Sequence, residues 1–169
     1  MNRLTLILLL SALLPTLHAM AQPIPGDTLE AFDVKPFVGT EGSVERFYGK
    51  RMTLLYFWTA TDYYNQISYN ALAAYADSAM REHPGLNVVT ISLDRYAEDF
   101  LAWRQFMQSA LNDLPNCRLD YSDYDDDAEA FLGIERLPYY LLVDSAGTVL
   151  NYEAALEPMQ VKISGLTQK

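Results

Sequence analysis

A single cysteine, Cys117, stands in a chain of 169 residues. It cannot form an intramolecular disulfide, and no Cys-x-x-Cys pair exists to shuttle electrons or hold zinc. Histidine is nearly as scarce. His18 lies in a stretch expected to be removed, which leaves His83, so zinc sites of the usual His/Cys make-up and any Ser–His–Asp triad lack parts. Positive charge is also in short supply. Twelve Lys and Arg against 22 Asp and Glu give a formal charge of −10, and such a surface repels nucleic acid and anionic membrane. Neither is an expected partner. Internal repeats and linker-like stretches are missing too, which points to one domain.

No apolar run is long enough to span a bilayer. Leu4–Leu14, behind Arg3 and ahead of Ala19-Met20-Ala21, has the three parts of a secretory signal peptide; a spanning helix needs about 20 apolar residues. No cysteine lies near the cleavage point to carry a lipid. Residues 1–21 are therefore expected to be a signal peptide. Residues 22–169 are expected to form one soluble domain, exported to the periplasm or outside the cell, without membrane insertion. Half of the sequence is apolar by a broad count, enough for a substantial core at this length.

Patterning then supplies the elements. Leu29–Val34 and Ser43–Phe47 are short strand candidates around a Gly39–Gly42 turn. Thr53–Trp58 is a continuous apolar, aromatic run of the kind that forms a buried strand. A helical pattern follows from about Tyr64 to Glu82. Ile67, Ala71, Ala74/Tyr75 and Ser78 share one face, with Leu72, Ala76, Ala79 and Met80 beside it, and Pro84-Gly85 ends it. Leu86–Leu93 is a second buried strand, rich in β-branched residues. Asp94–Leu111 is helical, Asn116–Leu119 a short strand, and Asp125–Leu132 a short helix stopped by Gly133. Tyr139–Asp144 and Thr148–Tyr152 form a hairpin, and Glu157-Pro158 opens a last helix with proline at its first position. Alternating strands and helices with a terminal hairpin predict an α/β domain with a mixed sheet flanked by helices.

Two stretches carry a resemblance. Phe57-Trp58-Thr-Ala-Thr-Asp-Tyr-Tyr-Asn65 resembles the Phe-Trp-Ala-x-Trp-Cys-x-x-Cys segment of the thioredoxin superfamily, in its exported redoxin (TlpA-like) branch. Gly133-Ile-Glu-Arg-Leu-Pro-Tyr-Tyr-Leu-Leu-Val-Asp-Ser-Ala-Gly147 resembles the family's Gly-Val-x-x-x-Pro-Thr-x-Phe-Leu-Ile-Asp-x-x-Gly. The resemblance implies a thioredoxin-like three-layer fold with an N-terminal hairpin extension, and a cis-proline at Pro138 facing the redox position. Laid in register, the two redox cysteines fall on Asp62 and Asn65. A peroxiredoxin-like register, Thr-x-x-Cys, meets Thr59-Ala60-Thr61-Asp62, where the sulfur that such chemistry oxidises is again absent.

The consequence is physical. Helix N–H groups and the helix dipole lower a thiol's pKa at that position, whereas Asp62 is suited to capping the same helix end. A general acid–base role for Asp62 lacks a visible histidine or carboxylate partner. Cys117, in Leu114-Pro-Asn-Cys-Arg-Leu119, reads as a small buried apolar residue; the rival reading is a lone reactive thiol, with Arg118 beside it but pointing to the opposite strand face. The acidic run Asp120–Asp127 lacks the central glycine and closing glutamate of a calcium loop. It is expected to be a solvated loop whose last aspartates cap a helix. No cofactor or metal is expected.

Family members bind an extended peptide on this face, which would place Trp58, Asp62, Tyr63, Tyr64, Asn65, Leu137, Pro138 and Tyr139 at a binding surface. The alternative for the rings is that Trp58 packs under the loop, with one of Tyr139 and Tyr140 inward and the other outward by strand alternation. The favoured expectation is a non-catalytic, protein-binding or chaperone-like module with an unidentified protein or peptide partner. Its rivals are a thiol–disulfide oxidoreductase acting through Cys117 and a purely structural subunit.

Overall fold

The computed structural model describes residues 22–110, 112–123 and 132–167. The expected signal peptide, the second half of the acidic run, Leu111 and the helix expected over 125–132 lie outside those residues, except Leu132. Seven strands form one sheet: β1 (Asp33–Pro36), β2 (Gly42–Ser43), β3 (Met52–Trp58), β4 (Leu86–Ser92), β5 (Asn116–Leu119), β6 (Tyr139–Asp144) and β7 (Val149–Glu153). Their order is β2-β1-β5-β4-β3-β6-β7. β3, β4 and β5 run parallel, while β1, β2, β6 and β7 pair antiparallel. Among the described residues three helices follow in chain order, α1 (Tyr63–Glu82), α2 (Ala97–Ser109) and α3 (Leu156–Thr167). None of the described helices is long and apolar enough to cross a membrane.

The central strands form where the sequence is most continuously apolar. Every residue of β3 is buried, because helices cover one face and loop segments the other. Leu54, Tyr56 and Trp58 point to the side of α1, α2 and α3, against Tyr69, Leu72, Trp103, Met107 and Ile163. Leu55 and Phe57 point the other way, against Phe32, Val44, Leu132 and Ile134. An aromatic cluster fills the helix side, with ring centroids 4.7 Å apart for Trp58–Tyr69 and 4.8 Å for Tyr56–Tyr140. Gly49 sits where β3 begins. A Cβ there would come within 2.5 Å of the Met52 carbonyl oxygen, so only glycine fits that close backbone approach.

Several expected boundaries move. The first strand lies at Asp33–Pro36 rather than Leu29–Val34. Ser43–Phe47 contributes one strand residue, Ser43, and then a 3₁₀ turn over Val44–Phe47, because the Ser43 hydroxyl accepts from the Glu45 N–H and starts a turn. On α1 the core stripe is Tyr69, Leu72, Ala76 and Ala79, while Ile67 stays exposed. α2 begins at Ala97, since Asp94 is held in the interior by hydrogen bonds of its own. Pro158 is the third residue of α3 rather than its first. Tyr139 and Tyr140 are both buried. Alternation fails there because both faces of β6 are covered.

Candidate functional site

The loop between β3 and α1 is built to hold one helix end. The Asp62 backbone is extended, with φ −94° and ψ 120°, and its carboxylate accepts from the Asn65 N–H at 3.0 Å. That is an N-cap bond, satisfying one of the unpaired donors of the first turn. The Gln66 amide donates to the Ala60 carbonyl at 2.6 Å, and the Tyr56 hydroxyl donates to the Asn65 carbonyl at 3.0 Å. Asn65 itself is buried, and its Oδ1 has no hydrogen-bond partner among the described residues.

Asp94, which patterning assigned to a helix, is the hidden support of this loop. Its carboxylate accepts from the Ala60 N–H at 2.8 Å and from the Ser92 hydroxyl. It is 1% exposed. Burial pushes its pKa up, against the opposing pull of the Ser92 and Ala60 hydrogen bonds. Ala60 and Asp94 are 34 positions apart, so no local sequence signal announces the contact. The backbone of the same loop is tied to the end of β4, the Leu93 N–H donating to the Trp58 carbonyl at 2.8 Å.

The Leu137–Pro138 peptide bond is cis, as the resemblance implies. Phe57 pairs with Tyr139 across β3 and β6, which sets Pro138 at the same sheet end as the Asp62 loop. The expected surface is thus assembled only in part. Tyr63 is 76% exposed, Tyr64 62% and Ile67 49%, on the first turns of α1. Asp62 is exposed and Leu137 half-buried. Trp58 and Tyr139, expected at the binding face, are fully or nearly fully interior. Trp58 packs under the loop against Tyr69 and Phe106, and Tyr139 stacks on Tyr152 with ring centroids 6.1 Å apart.

Cys117 belongs to a different place. It lies on β5, level with Ile91 of β4 and hence with Phe57 of β3, about 10 Å from β3 at ordinary strand spacing. Its side chain joins Phe57 and Leu119 on the sheet face opposite α1. It is wholly buried, and burial pushes its thiol up to about 12, only weakly opposed by Arg46. Asp120 caps its own short turn. Partial burial works against ionisation there, but Ser122, through its N–H and hydroxyl, and the Lys35 ammonium at 3.0 Å hold its carboxyl below the usual range. Among the described residues no group of three or more His, Cys, Asp or Glu is placed to hold a metal.

Comparison with known proteins places this geometry. No family model matches the chain, and neither does any curated protein sequence. Solved structures do match. A domain of a possible thiol–disulfide isomerase from Cytophaga hutchinsonii superimposes with a TM-score of 0.72 at 17% identity, covering 88% of this chain and 96% of that one. The fold is thioredoxin-like. A thiol:disulfide interchange protein from Bacteroides sp. gives 0.69 at 20% identity, over 87% and 92% of the two chains. The thioredoxin domain of a thiol–disulfide oxidoreductase from Bacteroides vulgatus gives 0.64 at 22%, over 85% and 98%. At such identities the likeness is one of architecture. This thioredoxin-like chain has one cysteine, and that cysteine is remote from the helix tip.

Proposed function

We propose that this thioredoxin-like domain is a redox-inactive binding module that takes an extended, apolar or aromatic segment of a partner protein at the tip of α1. The observation that carries this reading is the exposure of Tyr63, Tyr64 and Ile67 beside the Leu137–Pro138 loop. Large rings with a polar end supply contact area at little entropic cost and are favoured at recognition surfaces. Asp62 occupies the helix end as a cap, so the field there is used for structure rather than for activating a nucleophile. Oxidoreductase chemistry through Cys117 finds no support in a buried thiol whose pKa is raised. The apolar stretch behind Arg3 supports export, and the module is read as acting outside the cytoplasm.

The test is photo-crosslinking from position 67 of the full chain in its native envelope. A discrete crosslinked partner is expected, lost in a Tyr63→Ala/Tyr64→Ala variant that melts at the wild-type temperature. Crosslinks that persist unchanged in the double variant would place recognition on another surface. Turnover in an insulin-reduction assay that disappears with Cys117→Ser would overturn the non-catalytic reading.

A further inference from the structure

A second candidate site lies at the far edge of the sheet, away from the α1 tip. Lys35 of β1 and Arg118 of β5 are directly opposed across an antiparallel pair, so both side chains rise from one face. Arg104 on α2 joins them around a cavity of about 370 Å³, walled by Phe37, Phe100 and Trp103. Phe37 meets the Trp103 ring edge-on at 5.7 Å, and Phe100 stacks on it at 5.9 Å. Like charges facing each other across a strand pair are unfavourable. Among the described residues one of the three is answered by carboxylates: Lys35 sits 3.0 Å from Asp120 and 3.8 Å from Glu41. Among the described residues neither Arg104 nor Arg118 forms a salt bridge.

Two further groups at this cavity are unsatisfied. The Trp103 indole is 3% exposed, and its Nε1 is buried with no hydrogen-bond partner among the described residues. The Nε of Arg118 is buried and unpartnered as well, although its guanidinium lies 4.7 Å over the Phe100 ring. Buried donors left without acceptors are costly. In a chain with ten more acidic than basic side chains, two arginines that lack carboxylate partners among the described residues stand beside this aromatic-walled hollow, Arg118 half-buried and Arg104 exposed at its rim.

From this arrangement we infer a binding site for a small, planar, aromatic carboxylate. The carboxylate would accept from the Arg118 fork, whose geometry matches it bidentately, with Arg104 adding charge at the rim. The ring system would lie in the hollow against the wall that Phe37, Phe100 and Trp103 form. The cavity is near the lower end of the size range for small-molecule sites, which suits one or two fused rings. None of Asp62, Tyr63, Tyr64 or Pro138 lines it, so this site stands or falls independently of the proposed partner surface.

Titration calorimetry with 2-naphthoate, followed in parallel by tryptophan fluorescence, tests the assignment. The chain has two tryptophans, and only Trp103 lines the cavity. One 2-naphthoate per chain is expected to bind at about 1 mM or tighter, with a change in emission. Binding should weaken about tenfold or more for Arg118→Gln and for the neutral 2-naphthamide on the wild type. Arg118→Lys keeps the charge without the fork and should recover only part of that loss. Tyr63→Ala/Tyr64→Ala should bind as the wild type does. Equal affinity for the acid and the amide, or no saturation up to the solubility limit, would overturn the assignment. Should Arg118→Gln fail to fold, Arg104→Gln and the acid–amide comparison on the wild type still decide it.

Discussion

Asp62 and Cys117 occupy opposite kinds of place, and the chain has each residue where the other's chemistry would be wanted. The tip of α1 offers unpaired N–H groups and the positive end of a helix dipole, which would stabilise a thiolate. It holds an oxygen ligand that caps the helix at 3.0 Å. The interior of β5 is an apolar setting away from any helix end, and it holds the sulfur, its pKa pushed up to about 12 by burial against a weak pull from Arg46. Reactivity belongs to the location, not to the residue type. A thioredoxin-like scaffold can therefore keep its architecture and one thiol while losing the couple that architecture usually serves.

The comparison breaks most visibly if sulfur is returned to the helix tip. The double substitution D62C/N65C is expected to give a chain that reduces insulin disulfides. The thiol introduced at position 62 should titrate below the ordinary value of about 8.5, and adding Cys117→Ser should change nothing. A normal thiol pKa with no reduction would mean that this helix tip no longer exerts its field. Next in size is the reactivity of Cys117 itself. A pKa near 12 cuts the thiolate fraction about a thousandfold relative to a free cysteine. Ellman's reagent should therefore modify the native chain at least that much more slowly than the chain unfolded in guanidinium. Rapid native modification would show that β5 opens readily.

Two smaller effects sharpen the picture of the tip. Asp62→Ala should cost about 1 kcal/mol in urea unfolding, the usual worth of a helix cap, while Asp62→Asn should cost much less. Asp94 gives a slope rather than a step. Its pKa is raised in the folded protein by burial, so between the unfolded and folded pKa values the native state binds more protons than the unfolded chain. Stability from this group is therefore highest below the unfolded pKa and falls as pH rises through the folded one. Melting temperatures of wild type and Asp94→Asn, followed from pH 7 down toward pH 4, should show the wild type gaining on the variant. A constant difference would mean that Asp94 is ionised throughout.

How far the sequence could be read depended on the range of the interactions involved. Thr53–Trp58, Leu86–Leu93 and Tyr139–Asp144 emerge as strands within one residue at each end, because central strands buried on both faces are written as unbroken apolar runs. The Asp62 cap was equally legible, being a preference acting across three residues. The segments over 29–47 were harder. Their mixed composition suits a strand or a turn, and the Ser43 hydroxyl settles it locally. On α1 two overlapping stripes compete, and the sequence cannot say that Tyr69 rather than Ile67 faces the sheet. Trp58 was readable both as a ring on the binding face and as one packed under the loop, whereas the burial of Tyr139 and Tyr140 together was not. The Asp94–Ala60 bond and the Arg118–Trp103 cavity left no local pattern, since each joins residues brought together only by folding.

The sequence alone settled that no cysteine pair exists, that Asp62 and Asn65 stand where the resemblance puts two redox cysteines, and that a carboxylate begins the first long helix. These are covalent facts or interactions confined to a single turn of chain. Folding decided the rest: which tyrosines meet solvent, how far Cys117 is withdrawn from it, and that two arginines share an aromatic hollow. Burial and desolvation are properties of neighbours drawn from distant segments, and no stretch of sequence carries its neighbours with it.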